Sequence, residues 1–266
     1  MAKLDLGING RNALITGGAN GIGKGISKFL AEAGVNITVT SRTNKSIEIL
    51  KEELSLYNIK VDGYVVDFLD ENSVKKLFLD MQTDNYTCDI LVNNAGHNLE
   101  ITDPYCDISD WRRIMALNFE TAVRFANFFI PHMKRDDWGR IVNITSCAGV
   151  ENMGPVTYGV SKAALTTYTR TMGRILATEA NNVVMTAIFP GVVATKGGHW
   201  DRVLESDPQR AADYLKDRCP LGRFGEVDEI ASVVAFYCSN HASFSHGAII
   251  PADAGQARSY LSFNYM

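Results

Sequence analysis

Three side chains in one short stretch of the chain, Ser146, Tyr158 and Lys162, carry a hydroxyl, a phenol and an amine. In a helix, Tyr158 and Lys162 are one turn apart, so both side chains lie on the same face. A lysine charge about 4 Å from a phenol stabilises its anion by about 4 kcal/mol at an effective dielectric near 20. That is close to the shift of about three pKa units that a phenol needs to act as a base near pH 7. The three residues therefore predict general acid–base chemistry at a substrate oxygen.

The surrounding pattern predicts the elements that hold these side chains. Arg140 to Thr145 is an apolar, β-branched run that is typical of a buried strand, and it ends at Ser146. A turn-rich segment follows, and a helix over Pro155–Thr178 then carries Tyr158 and Lys162. The alternative is an ordinary exposed helix pair beside a hydroxyl that caps a turn.

A strand, a glycine-rich turn and a helix open the chain. Asn12–Thr16 reads as the strand, and the helical pattern after the turn runs to Ala33. Glycines let the backbone approach a pyrophosphate, and the helix N-terminus offers free N–H groups and a positive dipole end. The alternative is a tight turn that needs glycine for its backbone angles. The residues expected to contact a dinucleotide here are Gly17, Asn20, Gly21, Ile22 and Gly23.

The end of the second strand, Asn36–Thr40, bears on the choice of dinucleotide. An acidic residue at this position suits the ribose 2′-hydroxyl of NAD, whereas a nearby arginine suits the 2′-phosphate of NADP. The chain has Ser41 and Arg42 and no acid, so NADP(H) is favoured over NAD(H). Alternatively, Arg42 lies over the adenine or in solvent.

Other strand ends supply the rest of the expected crevice, because ligands bind at the carboxyl ends of strands in open α/β sheets. The third strand, Val61–Val66, ends at Asp67, which alternatively caps the next turn. The fourth strand is Asp89–Val92 and the sixth is Val183–Phe189. The cofactor contacts predicted at these ends are Asp67, Phe68, Asn94, Ala95, Gly96, Pro190, Gly191, Val193 and Thr195.

Strands and helices alternate as far as a last strand at Ala248–Ile250, which predicts a parallel sheet covered on both faces. The 266 residues suit one large domain. One long helical stretch, Asp107–Lys134, has Ser109 as its expected N-cap and Asn118 in its interior. Because asparagine is unfavourable inside a helix, Asn118 is expected either to hydrogen-bond to the fourth-strand segment or to open the helix and hold a water.

Composition excludes several classes of protein. The net charge of -4 and the lack of a basic run argue against nucleic-acid binding. No secretory leader and no membrane-length apolar run is evident, which favours a cytoplasmic protein. The five cysteines show no metal-type spacing, so we predict free thiols and no metal. We expect Cys147, beside Ser146, to be a small buried hydrophobe and not a nucleophile.

These motifs together resemble the classical short-chain dehydrogenases/reductases over nearly the whole chain. The matching residues are Thr16-Gly17, Gly21-Ile22-Gly23, Asn93-Asn94-Ala95-Gly96, Asn118, Ser146, Tyr158, Lys162, Pro190-Gly191 and Thr195. The resemblance implies a single-domain, Rossmann-like, doubly wound sheet of seven parallel strands, and a homotetramer or homodimer. It also implies that Lys162 holds the nicotinamide ribose and that Asn118 positions a water that feeds protons to Lys162.

The chain departs from the family pattern in two places. The spacing from Ser146 to Tyr158 is one residue shorter than in many members, and Thr145 lies at the commoner distance. Ser146 aligns better with Gly149, three residues on, so Ser146 is the predicted hydroxyl. Near the C-terminus the family often has Asp-Gly-Gly, where this chain has Asp253-Ala254-Gly255. The aromatic tail that follows, up to Met266, is expected either to pack on a neighbouring subunit or to fray.

The segment from about 196 to 225 is polar and reads as a substrate lid over the crevice. Its charged and imidazole side chains favour a small polar or anionic substrate such as a sugar or polyol derivative. The candidate substrate contacts are His97, Ser146, His199 and Trp200, although Trp200 alternatively anchors the lid on apolar neighbours. The alternative functions are reduction of a 3-oxoacyl thioester and a non-catalytic NADP(H)-binding scaffold or sensor.

Overall fold

The computed structural model describes residues 4–151 and 153–258, so most of the aromatic tail lies outside the described residues. Its strands lie close to the positions that the sequence pattern predicts. They are β1 (Asn12–Ile15), β2 (Asn36–Ser41), β3 (Val61–Val65), β4 (Ile90–Asn93), β5 (Gly139–Ile144), β6 (Val183–Pro190) and β7 (Ile249–Ala252).

Helices follow the strands in the expected alternation, with two more helices between β6 and β7 than the sequence pattern indicates. They are α1 (Gly21–Glu32), α2 (Asn44–Leu54), α3 (Glu71–Thr83), α4 (Ile108–Met115), α5 (Thr121–Arg135), α6 (Val156–Glu179), α7 (His199–Ser206), α8 (Pro208–Arg218) and α9 (Val227–Tyr237). Among the described residues, no helix has the length and apolar character that a membrane span requires.

In the described residues, seven parallel strands form one sheet in the order β3-β2-β1-β4-β5-β6-β7. After β1 the chain adds β2 and β3 on one side of β1, and it then returns to place β4 on the other side. The strand order therefore reverses between β1 and β4. The connections therefore diverge there, and this is where an open α/β sheet has its ligand crevice. The predicted single α/β domain with a doubly wound parallel sheet is confirmed.

Hydrophobic clusters cover both faces of the sheet. Successive side chains of a strand point to opposite faces, so Leu14 and Ile15, both fully buried, belong to different clusters. Ile15 packs in the cluster that contains Ile26 of α1, and Leu14 packs in the one that contains Phe125 of α5. Burial on both faces explains why these strands read as continuous apolar runs.

The long helical stretch after β4 is interrupted. A π-helical turn over Ala116–Glu120 separates α4 from α5, and Asn118 lies inside it. The carbonyl of Ala116 accepts the backbone N–H of Thr121, five residues on, and also accepts from the Thr121 hydroxyl at 2.9 Å. The expected N-cap was wrong: α4 begins at Ile108, so Asp107 is the cap, and Ser109 lies within the first turn.

Strand β7 forms one edge of the sheet and pairs only with β6 in the described residues. The carbonyls of Ala248 and Ala252 accept hydrogen bonds from the β6 segment, from Ala187 and Gly191. The backbone groups of residues 249 and 251 therefore point outward, and at residue 251 the chain has a proline.

Candidate active site

Ser146, Tyr158 and Lys162 converge at the carboxyl end of β5. Ser146 follows this strand and caps the short 3-10 turn Cys147–Gly149, accepting a hydrogen bond from the Ala148 N–H at 3.1 Å. Helix α6 then brings Tyr158 and Lys162 back toward that turn. Lys162 is only 2% exposed, so the exposed-pair alternative does not describe this helix face.

Lys162 projects into the molecule beneath the Tyr158 ring. Its Nζ donates to the backbone carbonyl of Ile144 at 2.8 Å and lies 5.7 Å from the centre of the Tyr158 ring. Burial lowers the pKa of Lys162 to about 8, because a charged amine loses hydration inside the protein. The amine is therefore charged at neutral pH and close to the range where it exchanges protons.

In the structure the pKa of Tyr158 is raised, whereas the sequence pattern predicts that it is lowered. Burial raises it, and a hydrogen bond with Ser146 lowers it by less. Lys162 does not reverse the shift, and its amine is hydrogen-bonded to the Ile144 carbonyl. The phenol is therefore in its protonated form at neutral pH.

The hydroxyls of Ser146 and of its neighbour Thr145 occupy different environments. Thr145 is buried, and its hydroxyl donates to the carbonyl of Ile188 on the neighbouring strand at 3.2 Å. The hydroxyl of Ser146 lies close enough to Tyr158 to lower the pKa of its phenol. The geometry therefore brings Ser146, and not Thr145, to the phenol.

Asn118 connects this group to the segment after β4. Its Nδ2 donates to the carbonyls of His97 at 2.9 Å and Ile114 at 3.0 Å, and its Oδ1 accepts from the His97 N–H at 3.0 Å. The expected hydrogen bond from Asn118 to the fourth-strand segment is thus present. The π-helical turn also opens the helix at this residue, and the water of the second alternative stays a prediction.

Gly96 lies between Asn118 and Lys162. A Cβ atom at this residue would stand 2.6 Å from Asn118 Oδ1 and 2.9 Å from Lys162 Nζ. Neither contact is tolerable, so only glycine lets the strand end approach these two side chains.

The glycine-rich loop has the shape that a pyrophosphate requires. Gly17 and Gly21 have positive φ angles of 65° and 52°. At Gly23 a Cβ would stand 2.4 Å from the Gly17 carbonyl oxygen, so a larger residue would push the loop off α1. Asn20 precedes α1 in an extended conformation without capping it through its side chain, and the described first turn has no acidic residue. The N–H groups at this helix end therefore suit an anionic ligand.

Thr16 and Asn94 join this loop to β4. The Thr16 hydroxyl accepts from the N–H groups of Asn94 and Ala95, both at 2.9 Å, while Asn94 Nδ2 donates to the Thr16 carbonyl at 2.9 Å. The Asn94 amide therefore braces the loop. Ile22 packs partly buried against the core beside α1.

The residues predicted around the adenosine lie at the ends of β2 and β3. Arg42 is exposed and has no hydrogen bond or ion pair with the residues that the structure describes, and Ser41 Oγ accepts from the Thr43 N–H at 3.4 Å. Asp67 is exposed and accepts from the Leu69 N–H at 2.9 Å, so it does cap its own turn. Phe68 is half-buried, with its ring edge-on to Phe125 in the core.

The residues predicted near the nicotinamide follow β6. At Gly191 a Cβ would stand 2.7 Å from the Asp253 Cα, so the glycine allows close packing against the segment after β7. Val193 bridges to Gly225 and packs partly buried on the core. Thr195 lies next to the glycine-rich loop, 3.6 Å from where a Gly21 Cβ would be. Pro190 ends β6 itself.

The polar segment 196–225, here called the lid segment, is largely helical and contains α7 and α8. Trp200 packs its ring against Tyr214 at 4.2 Å and Phe224 at 5.2 Å, as expected of an anchor residue. His199 is exposed and its ring is edge-on to Trp200. Burial and the cations of Arg210 and Arg202 lower the pKa of His199.

The lid segment faces the loop after β4 through an ion pair. Arg202 of α7 lies 4.0 Å from Glu100. The His97 ring accepts a hydrogen bond at Nδ1 from the Leu99 N–H at 2.8 Å, so the neutral ring carries its proton on Nε2. Partial burial lowers the pKa of His97, and Glu100 opposes this shift.

Cys147 is buried, and its thiol donates to Asp253 Oδ2 at 3.6 Å. Burial and this carboxylate raise the thiol's pKa far above its usual value, so it is not an activated nucleophile. In the described ranges, histidine, cysteine and acidic side chains form no group of three suited to a metal ion.

Sequence patterns did not identify two residues near the site, Gln256 and Tyr214. Gln256 is 4% exposed and hydrogen-bonds both to the Val192 N–H and to Tyr214 of α8. Neither residue belongs to a motif, and their partners are distant along the chain. A glutamine followed by alanine gives no signal of burial.

Comparison with known proteins agrees with this architecture. A family model described as enoyl-(acyl carrier protein) reductase matches residues 17–257. The 3-oxoacyl-(acyl-carrier-protein) reductase FabG of Aquifex aeolicus is 32% identical over 95% of this chain and 99% of its own. The meso-2,3-butanediol dehydrogenase of Serratia marcescens is 29% identical over 92% of this chain and 94% of its own.

A solved structure extends the comparison to a bound cofactor. L-sorbose reductase from Gluconobacter frateurii, solved with NADPH and L-sorbose, superposes with a TM-score of 0.86 and 26% identity, covering 95% of this chain and 98% of its own. The family match, the sheet order and the full-length relatives agree. The chain therefore belongs to the classical short-chain dehydrogenase/reductase family of oxidoreductases.

Proposed function

We propose that this protein is an NADP(H)-dependent oxidoreductase that interconverts a carbonyl and an alcohol on a small polar, sugar- or polyol-like substrate. One observation carries the proposal. The protonated Tyr158 phenol lies beside the Ser146 hydroxyl, and the buried amine of Lys162 lies 5.7 Å from the centre of its ring. A proton donor, a second hydrogen-bonding hydroxyl and a cation are thus available to one substrate oxygen.

When bound in the crevice, NADPH would supply the hydride for reduction of a carbonyl. Ser146 donates a hydrogen bond to the carbonyl oxygen and holds it beside Tyr158. As the C=O π bond breaks, the Tyr158 hydroxyl gives its proton to that oxygen and acts as general acid. Burial favours the protonated phenol, which is the form that reduction uses. Alcohol oxidation would need Tyr158 to be deprotonated first.

In this proposal, Lys162 and a water held at Asn118 supply a new proton to the Tyr158 phenolate. With its pKa near 8, Lys162 can pass a proton toward the phenolate at neutral pH. The widened turn at Asn118 supports the family role of holding a water that reaches the amine. Lys162 would also hold the nicotinamide ribose, and its amine lies beside Gly96 on that side of the crevice.

NADP(H) is proposed over NAD(H) because Arg42 is free to bind a 2′-phosphate. It is exposed, no acidic side chain of the described residues pairs with it, and it follows β2 as the 2′-phosphate position requires. The superposed L-sorbose reductase, which was solved with NADPH, supports the same preference.

The polar character of the crevice mouth supports a polar substrate. His97 presents an Nε2–H donor, and Glu100 and Arg202 face one another from the two sides. His199 stands on the lid segment, which we propose as a cover of the substrate site. The similarity to L-sorbose reductase supports a sugar-like substrate. The similarity to the FabG of Aquifex aeolicus keeps a 3-oxoacyl thioester as the second candidate.

The test is a turnover screen of the purified full chain with NADPH and NADH against ketoses, diketones, sugar acids, 3-oxoacyl thioesters and cyclic ketones. Tyr158→Phe should lower kcat by about 10²–10⁴-fold, the usual contribution of a positioned acid. Tyr57→Phe, which removes a hydroxyl far from the crevice, is the matched control. Full turnover by Tyr158→Phe would refute the mechanism. NADPH binding without turnover of any compound would favour the scaffold alternative, and preference for long apolar ketones would refute the polar site.

Assembly and location stay predictions. A homotetramer or homodimer is proposed from the family, and the exposed apolar side chains Ile108, Val156 and Val160 on α4 and α6 support contact between copies there. Light scattering on the purified chain tests it. A cytoplasmic location is tested by fractionation of cells that express the full chain.

A further inference from the structure

We infer that Gln256 couples occupancy of the dinucleotide site to closure of the lid segment. The inference rests on the proposed function in one respect, which is that residues 196–225 cover the substrate. It concerns a positioning residue, because the hydrogen bonds described for Gln256 go to Val192 and Tyr214. The inference is based on a closed ring of contacts around the residues that follow β6.

Gln256 connects two segments that are far apart in the sequence. Its Oε1 accepts from the Val192 N–H at 2.9 Å, and its Nε2 donates to the Tyr214 hydroxyl at 2.8 Å. Val192 follows Pro190-Gly191 at the end of β6, while Tyr214 lies on α8. The glutamine is buried, so at least one end of its amide would be left unpaired if the two segments separated.

The aromatic rings of the lid segment continue the connection. Tyr214 packs on Trp200 of α7 at 4.2 Å, and Trp200 packs on Phe224 at 5.2 Å. Gly225, which follows Phe224, donates from its N–H to the Val192 carbonyl at 2.9 Å. Val192 is therefore held on one side by Gln256 and on the other by the returning end of the lid segment.

The turn that carries Gln256 also contacts the loop of Ser146. Asp253 Oδ2 accepts from the Ala257 N–H at 2.7 Å, which fixes the backbone around Gln256. The same oxygen accepts from the Cys147 thiol at 3.6 Å, directly after Ser146. The C-terminal turn thus reaches the acid–base group, the end of β6 and the lid segment.

This connectivity gives Gln256 a thermodynamic role. A ligand that orders the backbone at Gly191 and Val192 strengthens the Gln256 hydrogen bond to Val192 and so favours the position of Tyr214. Coupling is reciprocal, so closure of α7 and α8 must tighten dinucleotide binding by the same factor. The coupling is lost when either hydrogen bond is removed.

Two variants remove different hydrogen bonds of this ring of contacts. Tyr214→Phe removes only the bond to the lid segment and keeps the ring stacking. Gln256→Met removes both bonds and keeps the length of the side chain. Adding Tyr214→Phe to Gln256→Met should have no further effect on the lid segment, because the bond is already gone. Gln82→Met, on an exposed face of α3, is the matched control.

The primary readout is amide hydrogen exchange over residues 199–218, with and without NADPH. In the unaltered protein NADPH should slow this exchange. Both variants should exchange about fivefold faster, the factor set by one ordinary hydrogen bond, and should lose the NADPH-dependent slowing. Calorimetry with NADPH should show weaker binding for Gln256→Met and a smaller change for Tyr214→Phe.

Unchanged exchange in both variants, or NADPH-dependent slowing that persists in both, would overturn the inference. Tyr214→Phe decides the matter on its own if Gln256→Met does not fold. Exchange and NADPH binding need no turnover, so their outcome is independent of whether Tyr158 is the acid. Once a substrate is found, Tyr214→Phe should raise its KM more than it lowers kcat, which a general loss of folding would not produce.

Discussion

Asn118 pairs with both backbone groups of His97, accepting from its N–H at 3.0 Å and donating to its carbonyl at 2.9 Å. One side chain thus holds the segment after β4 in the way a neighbouring strand would. It can do so because the π-helical turn over Ala116–Glu120 displaces Asn118 from the regular helix path.

Asn118→Ala should therefore reduce both activity and stability. Loss of three hydrogen bonds around a residue that is 1% exposed is expected to cost about 2–3 kcal/mol in the free energy of unfolding. We expect kcat to fall about 100-fold because Gly96 and Lys162 lose their fixed neighbour. Urea unfolding and steady-state kinetics measure the two effects. Asn127→Ala, exposed on α5, should change neither, and an Asn118→Ala protein with normal stability would contradict the structural role.

The pKa of Lys162 predicts how reduction depends on pH. Because this pKa is about 8, the amine is charged below pH 8 and neutral above it. The kcat/KM for NADPH-dependent reduction should be level at neutral pH and fall above about pH 8, while Tyr158 stays protonated. In Lys162→Arg, any remaining activity should lack this fall, since arginine keeps its charge. If kcat/KM of the unaltered protein stays level up to pH 9.5, Lys162 is not the group that passes the proton to Tyr158.

The same amine should limit stability. Its pKa is lowered from 10.5 to about 8 in the folded chain, so the unfolded chain binds more protons between these values. Below pH 8 this shift costs about 3 kcal/mol of the free energy of unfolding, and the cost disappears as pH rises toward 10.5.

Lys162→Met should therefore unfold at a higher urea concentration at pH 7 while losing activity. The gain should be about 1–2 kcal/mol, because the Ile144 carbonyl loses its donor. The difference from the unaltered protein should shrink between pH 8 and pH 10. Lys76→Met, at an exposed residue of α3, is the control. A less stable Lys162→Met at pH 7 would show that the amine contributes more by its hydrogen bond than it costs by its charge.

Arg42 should decide between the two dinucleotides. Arg42→Ala should raise the KM for NADPH about 10-fold to 100-fold, by loss of a charge-assisted contact, and leave the KM for NADH nearly unchanged. Kinetics with both cofactors measures this, and Lys60→Ala, at the opposite end of the sheet, is the control. If NADH is preferred before and after the substitution, the NADP(H) proposal is wrong.

Ala254 carries a backbone strain that a glycine would relieve. Its φ of +54° lies in the left-handed region, where a Cβ costs about 1–2 kcal/mol. Ala254→Gly restores the Asp-Gly-Gly pattern, and after the added entropy of the unfolded chain it should stabilise by about 0.5–1 kcal/mol. Ala177→Gly, at an exposed position inside α6, should instead destabilise. Thermal unfolding distinguishes them, and equal losses in both would contradict the strain argument.

The sheet could be predicted from sequence because buried parallel strands give uninterrupted apolar runs, as at Val183–Pro190. The parallel arrangement then brings strand ends together, which is why Ser146, Gly96 and the glycine-rich loop could be grouped before any coordinates. Helices α7 and α8 could not be predicted, because both are polar and α7, with eight residues, directly follows Gly197-Gly198.

Two properties of the candidate site needed the three-dimensional structure. The direction of the Tyr158 pKa depends on how far burial outweighs the lysine, and spacing along a helix says nothing about burial. The contacts of Gln256 join segments that are remote in sequence, so no local pattern reveals them. The π-helical turn was only hinted at by the position of Asn118.

Pro251 limits how the sheet can grow. It sits where the free border of β7 would otherwise offer an N–H to an incoming chain, so a foreign strand meets a gap in the ladder it would need to complete. This edge of the sheet therefore disfavours edge-to-edge pairing with the sheet of another molecule. Copies of the protein that meet along it must recognise one another through side chains.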